Sequence, residues 1–128
     1  MKLLVDSVAL VWWTTDPARL SAAATRALRK GQNDLLVSAA TAYELLYKKH
    51  RGRLHVASPL GSTFESSLRR RGFTLLDLTT EHMVVAAALA DPHPDPFDRM
   101  LAAQAIVEGM PVVTNDAAIA RLGAAVVW

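Results

Sequence analysis

The sequence predicts an α/β fold, with a mostly parallel sheet covered by helices on both faces. Three observations carry that reading. Short runs that are apolar at nearly every position recur along the chain, as in strands buried on both sides. Helical stretches separate the runs, so each strand is followed by a crossover instead of a tight turn. Ser, Asp, Pro and Gly stand where helices should begin and end.

Lys2 to Val5 is the first strand, and a helical stretch follows through Trp13. Ser21 caps a second helix that runs to Lys30 and stops at Gly31. Leu35 to Val37 is the next buried strand, followed by a helix from Ala39 to His50 that ends near Gly52. Ser58 with Pro59 satisfies the free start of another helix, closed by Gly72. Phe73 to Leu78 is strand-like, and the charge of Asp77 inside it marks an edge or an exposed face. Thr80 to Ala90 is helical, and Asp95-Pro96 starts a further helix that ends before Gly109. Val112-Val113 is a strand, Ala117 to Leu122 a short helix, and Ala125 to Val127 the last strand.

No repeat, linker or low-complexity segment interrupts this alternation, so residues 1–128 are expected to form one domain. Hydrophobic residues make up 52% of the chain, which implies that a partner covers some apolar surface. The apolar runs Val8 to Trp13 and Met83 to Ala90 fall well short of the roughly 18 residues of a membrane span. Asp6 breaks the first apolar stretch too early for a signal peptide, and a cytoplasmic protein is expected. With no cysteine, any metal must sit on oxygen or imidazole. Net charge is only +2, but Lys48, Lys49, His50, Arg51 and Arg53 form one basic cluster and Arg69, Arg70 and Arg71 another. Each suits a solvated helix C-terminus, where cations complement the dipole; together they also suit a polyanion.

Ligands of parallel sheets bind beyond the carboxyl ends of the strands, so the residues just after each strand matter most. Asp6 closes the first strand, and Asp116 follows Val112-Val113 within Thr114-Asn115-Asp116. Asp95 and Asp98 begin a helix, and Glu44 lies in a helix that follows a strand. Carboxylates converging on one rim repel each other unless a cation sits between them, and a hard divalent ion with oxygen ligands fits. Such a site suits phosphodiester hydrolysis. Structural readings stand beside this one. Thr41-x-x-Glu44 matches a capping box, and Glu44 is spaced to pair with Lys48. Asp95 and Asp98 suit a helix start, and Asp116 suits a cap.

Taken in order, Leu3-Leu4-Val5-Asp6-Ser7 with Trp12-Trp13, Val37-Ser38-Ala39-Ala40 leading to Tyr43-Glu44, Asp95-Pro96-Phe97-Asp98-Arg99, and Val113-Thr114-Asn115-Asp116 resemble the PIN-domain ribonucleases. More narrowly, the chain is similar to VapC-type toxins of type II toxin–antitoxin pairs. The resemblance implies a three-layer α/β/α sandwich, an endoribonuclease dependent on Mg²⁺ or Mn²⁺, a homodimer, and a cognate antitoxin as inhibitor. It implies Asp6, Glu44, Asp98 and Asp116 as metal and catalytic residues, with Ser7, Asp95, Arg99 and Thr114 around the metal or toward the substrate. Ser7 stands where many relatives have Thr, and Val8 where many have His. The remaining polar and aromatic residues receive plainer readings. Arg99 is expected in an ion pair, His93 in a turn, and His50, His55 and His82 as surface or packing residues. Trp12, Trp13 and Tyr47 are expected in the core or on a dimer surface.

Other functions fit less well. A phosphorylated receiver-like domain needs an acidic neighbour for the first Asp and a late Lys, and the sequence has neither. A silent partner-binding module has no need of the full set of acids. A PIN-type nuclease acting on DNA or in RNA maturation is the alternative within the same family.

Overall fold

The computed structural model describes residues 1–52 and 63–128. Five strands form one sheet: β1 (Lys2–Val5), β2 (Asp34–Ser38), β3 (Phe73–Leu76), β4 (Val112–Val113) and β5 (Val126–Val127). Their order is β3-β2-β1-β4-β5, and every neighbouring pair is parallel. The helices are α1 (Ser7–Thr15), α2 (Ala22–Arg29), α3 (Ala39–His50), α4 (Phe64–Arg70), α5 (Thr80–Ala88), α6 (Pro96–Glu108) and α7 (Ala117–Arg121).

Strand periodicity builds the layers. Leu3 and Val5 of β1 join Val37 of β2, Leu10 of α1, Leu28 of α2, Leu45 of α3 and Leu68 of α4 in one core. Leu4, between them in sequence, points to the opposite side with Leu36, Val112, Leu101 and Ala102 of α6, and Ile119 of α7. Successive side chains of a strand face opposite ways, so the uniformly apolar β1 fills both cores. This is the expected α/β/α sandwich.

Helix ends follow local chemistry. The Ser21 hydroxyl accepts from the Ala24 N–H at 3.0 Å. Gly109 ends α6 at φ 65°, a left-handed conformation that costs glycine little. The cap of α3 differs from expectation: Ser38, not Thr41, accepts from the Ala40 N–H at 3.0 Å, so Thr41-x-x-Glu44 is no capping box. The helix begins three residues before Thr41, which leaves Thr41 buried inside it. β3 is an edge strand as Asp77 suggested, but it ends before Asp77. The predicted start at Ser58-Pro59, and the readings of Arg53 and His55, lie outside the described residues.

His82 is more than a packing residue. It is buried, its Nδ1 accepts from the Thr79 N–H at 3.0 Å, and its own N–H donates to Thr79 Oγ1 at 3.2 Å. It thus takes the place of Glu or Gln in a capping box. Its Nε2 meets Glu108 Oε1 at 2.9 Å, tying the start of α5 to the end of α6.

Candidate active site

β1 lies at the centre of the sheet, where the chain order reverses: β2 follows on one side and β4 on the other. The crevice beyond the carboxyl ends of β1 and β4 is where an open parallel sheet binds its ligand. Asp6 ends β1 there and caps α1, with its backbone N–H bonded to Val113 O of β4 at 3.2 Å.

Both oxygens of Asp6 are held. Oδ1 accepts from the Ser7 N–H at 2.6 Å and the Ser7 hydroxyl at 3.3 Å, while Oδ2 accepts from the Thr114 hydroxyl at 2.7 Å. The same Thr114 oxygen accepts from the Asp116 N–H at 3.0 Å, so one buried hydroxyl fixes both strand-end acids. Asp116 Oδ1 caps α7 by accepting from the Ala118 N–H at 2.8 Å. Asp98, in the first turn of α6, meets His93 Nε2 through Oδ2 at 2.7 Å. Asp95 caps α6, its Oδ1 accepting from the Phe97 N–H at 2.8 Å. Glu44, on α3, pairs with Lys48 at 3.7 Å.

Asp6, Glu44, Asp95, Asp98 and Asp116 line one cavity of about 280 Å³, together with Ser7, Val8, Lys48 and Asn115. All four acids named by the family pattern therefore open on the same space. No three of them bring ligand atoms within 4.8 Å of one another among the described residues; the set that does is His93, Asp95 and Asp98. Burial pushes the Asp6 carboxyl above its usual range, and the nearby Glu44 charge adds to the rise, against the lowering effect of the Thr114 and Ser7 hydrogen bonds. Asp98 is raised as well, first by burial and then by the charges of Asp95, Asp116 and Asp6, despite the His93 hydrogen bond. These acids act on each other electrostatically, as a site awaiting positive charge must. An all-oxygen donor set in mutual repulsion fits a hard divalent cation.

Two sequence readings need revision. Arg99 makes no ion pair. Its guanidinium donates to the carbonyls of Ala86, Leu89, Asp91 and His93 at 3.1, 2.9, 2.6 and 3.1 Å. It binds the last turn of α5 to the loop before α6, and with them the backbone that carries His93. His93 is likewise more than a turn residue, since its ring reaches Asp98. The spacing His93-x-Asp95-x-x-Asp98 was the available signal: residues just before a cap and in the first turn crowd together at a helix start.

The PIN domain family model matches residues 3–125. The chain is 32% identical to Ribonuclease VapC22 of Mycobacterium tuberculosis over 115 residues, covering 89% of this chain and 86% of that protein. Among solved structures, VapBC2 from Rickettsia felis bound to a promoter DNA fragment matches with a TM-score of 0.68 at 14% identity, covering 98% of this chain and 97% of that one. FitAcB from Neisseria gonorrhoeae matches with a TM-score of 0.65 at 18% identity, over 97% of this chain and 95% of that one.

Proposed function

Because the chain belongs to the PIN-domain family, with a VapC-type ribonuclease among its relatives, we propose that it is a metal-dependent endoribonuclease, the toxin of a type II toxin–antitoxin pair. The observation that supports this best is the convergence of Asp6, Glu44, Asp98 and Asp116 on one cavity at the chain-order reversal of the sheet. These four residues would hold the ion, Mg²⁺ or Mn²⁺. Residues 1–128 act as one nuclease domain.

The ion supplies a polarised phosphoryl oxygen and a water of lowered pKa. The chain supplies orientation and charge. Thr114 and Ser7 fix both oxygens of Asp6, so that carboxylate loses little freedom when it binds a cation. Lys48 balances Glu44 at the cavity wall and offers a cation to a phosphate. Asp95 keeps the first turn of α6 in place, and His93 orients Asp98 through Oδ2.

Among the described residues no helix is long and apolar enough to cross a membrane. Exposed Tyr43, Met83, Val84 and Ile106 provide apolar surface for protein partners. We propose a homodimer, which sedimentation would detect at about twice 13.9 kDa. The antitoxin is proposed to insert an Arg or Lys among the carboxylates and so compete with metal.

The test is cleavage of total RNA by the pure chain with Mg²⁺, with Mn²⁺ and with chelator. Asp6→Asn and Asp116→Asn should each lower cleavage by orders of magnitude while the circular dichroism spectrum is kept. Unchanged Mn²⁺ affinity by calorimetry in single variants of all four acids would rule out the metal site. An antitoxin that binds tightly yet leaves cleavage untouched would rule out inhibition at the cleft.

A further inference from the structure

Beside the acidic cavity lies a larger opening of about 480 Å³, and the two share Glu44, Lys48 and Asp95. The wall of the larger one that faces away from the acids is aromatic, made by Tyr47 and Phe97. Tyr43 and Tyr47 are one helical turn apart on α3, and their rings stack at 5.8 Å between centroids and 18° between planes. Phe97, in the first turn of α6, continues the row, 5.8 Å and 30° from Tyr43. The row is not core. Tyr43 is 61% exposed and Tyr47 43% exposed, although Tyr47 was expected in the core or on a dimer surface.

Cations border the row. Arg51 lies 5.2 Å from the Tyr47 ring centre, and Lys48 stands between that ring and the catalytic acids. Exposed rings alternating with cations at the edge of a phosphodiester-cleaving cleft match single-stranded nucleic acid, whose bases stack on aromatic faces while its phosphates meet Lys and Arg. A protein interface tolerates such rings too, but its buried centre is poor in Lys and Glu, both of which line this opening. Resting on the ribonuclease reading above, we infer that Tyr47, backed by Tyr43 and Phe97, is a stacking platform for an unpaired base of the RNA next to the scissile phosphate. Lys48 and Arg51 receive the neighbouring phosphates. The enzyme therefore selects RNA whose bases are already unstacked, as in loops and single strands, because a paired base cannot reach the ring.

The experiment measures equilibrium binding of a fluorescein-labelled eight-nucleotide oligouridine, and of an abasic oligomer of the same length, in the cleavage-deficient Asp116→Asn background. Introducing Tyr47→Ala should weaken oligouridine binding about tenfold, Tyr47→Phe should restore it, and the abasic oligomer should be indifferent to both changes. In the otherwise unchanged enzyme, Tyr47→Ala should raise KM on single-stranded RNA and leave kcat within about twofold. Equal losses for oligouridine and the abasic oligomer, or no loss for either, would overturn the platform while leaving the nuclease reading intact. Loss of RNA binding that tracks a shift from dimer to monomer in sedimentation would assign the ring row to a protein interface and overturn it as well. A parent protein that cleaves no RNA with Mg²⁺ or Mn²⁺ would instead remove the ribonuclease reading on which the platform rests.

Discussion

Replacing Thr114 by valine keeps the shape of the side chain and removes one oxygen. That oxygen donates to Asp6 Oδ2 at 2.7 Å and accepts from the Asp116 N–H at 3.0 Å, in a position only 2% exposed. A hydrogen bond to an ionised group contributes about 1.5–3 kcal/mol, and an orphaned buried partner raises the cost of losing it. The added methyl group recovers part of that through apolar burial, so the expected net loss is about 2 kcal/mol at neutral pH. Over 128 residues, at about 2.1 cal/mol/K of unfolding entropy per residue, this lowers Tm by about 7 °C. The loss should depend on pH. Burial raises the Asp6 carboxyl above 3.8, so its protonated form is favoured in the folded state; that contribution is present below 3.8 and fades as pH rises through the raised value. The Thr114 hydrogen bond opposes the rise, so removing it lifts the carboxyl further. Melting should therefore show the full deficit near neutrality and a smaller one at about pH 3, where Asp6 is neutral with or without the hydroxyl. Calorimetry should show Mn²⁺ affinity about tenfold weaker, the usual scale for losing a group that orients a ligand. An equal Tm deficit at both pH values, or an unchanged Mn²⁺ affinity, would refute the claim that this hydroxyl serves an ionised metal ligand.

Asp98→Asn should abolish cleavage and at the same time raise the Tm of the metal-free protein at neutral pH, because it removes a buried charge repelled by Asp95, Asp116 and Asp6; a lower Tm in chelator would contradict this. Metal-free wild-type protein should lose stability as pH rises from about 4 through the raised Asp6 and Asp98 carboxyls, and Mn²⁺ should cancel the slope; melting curves across pH with and without the ion decide it. Arg99→Ala should cost about 3 kcal/mol and Arg99→Lys nearly as much, since an ammonium cannot serve four carbonyls at once; urea denaturation would disprove the role if lysine behaved like wild type.

The strands were legible because β1, β2 and β4 are apolar at almost every position, and Asp6 and Asp116 were legible because they follow those strands directly. Other features depend on neighbours distant in sequence. Whether Ser38 or Thr41 caps α3 turns on where β2 stops, and both have the required hydroxyl. Arg99 was expected beside a carboxylate because charges pair more visibly in a sequence than carbonyls do. The unsatisfied carbonyls at the end of α5 are set by where that helix breaks, which no single residue type announces. The exposure of Tyr47 was hidden for a similar reason. An aromatic at i, i+4 from another is compatible with core or surface until the opposing element is placed, and only Phe97 of α6 takes that position.

The hydrogen bond between Thr114 and Asp6 joins residues 108 positions apart. A ribosome moving at about 5–20 residues per second makes the first strand roughly 5–20 s before it makes Thr114 and Asp116. Through that interval the emerging chain holds Asp6 and Glu44 without β4 beside them, and a nuclease of this design is harmless to the ribosome that produces it. Messages cut or translation stopped before codon 114 yield only inert fragments. Toxicity begins when synthesis nears its end, which gives a partner already present in the cell time to meet the first helices before there is a site to silence.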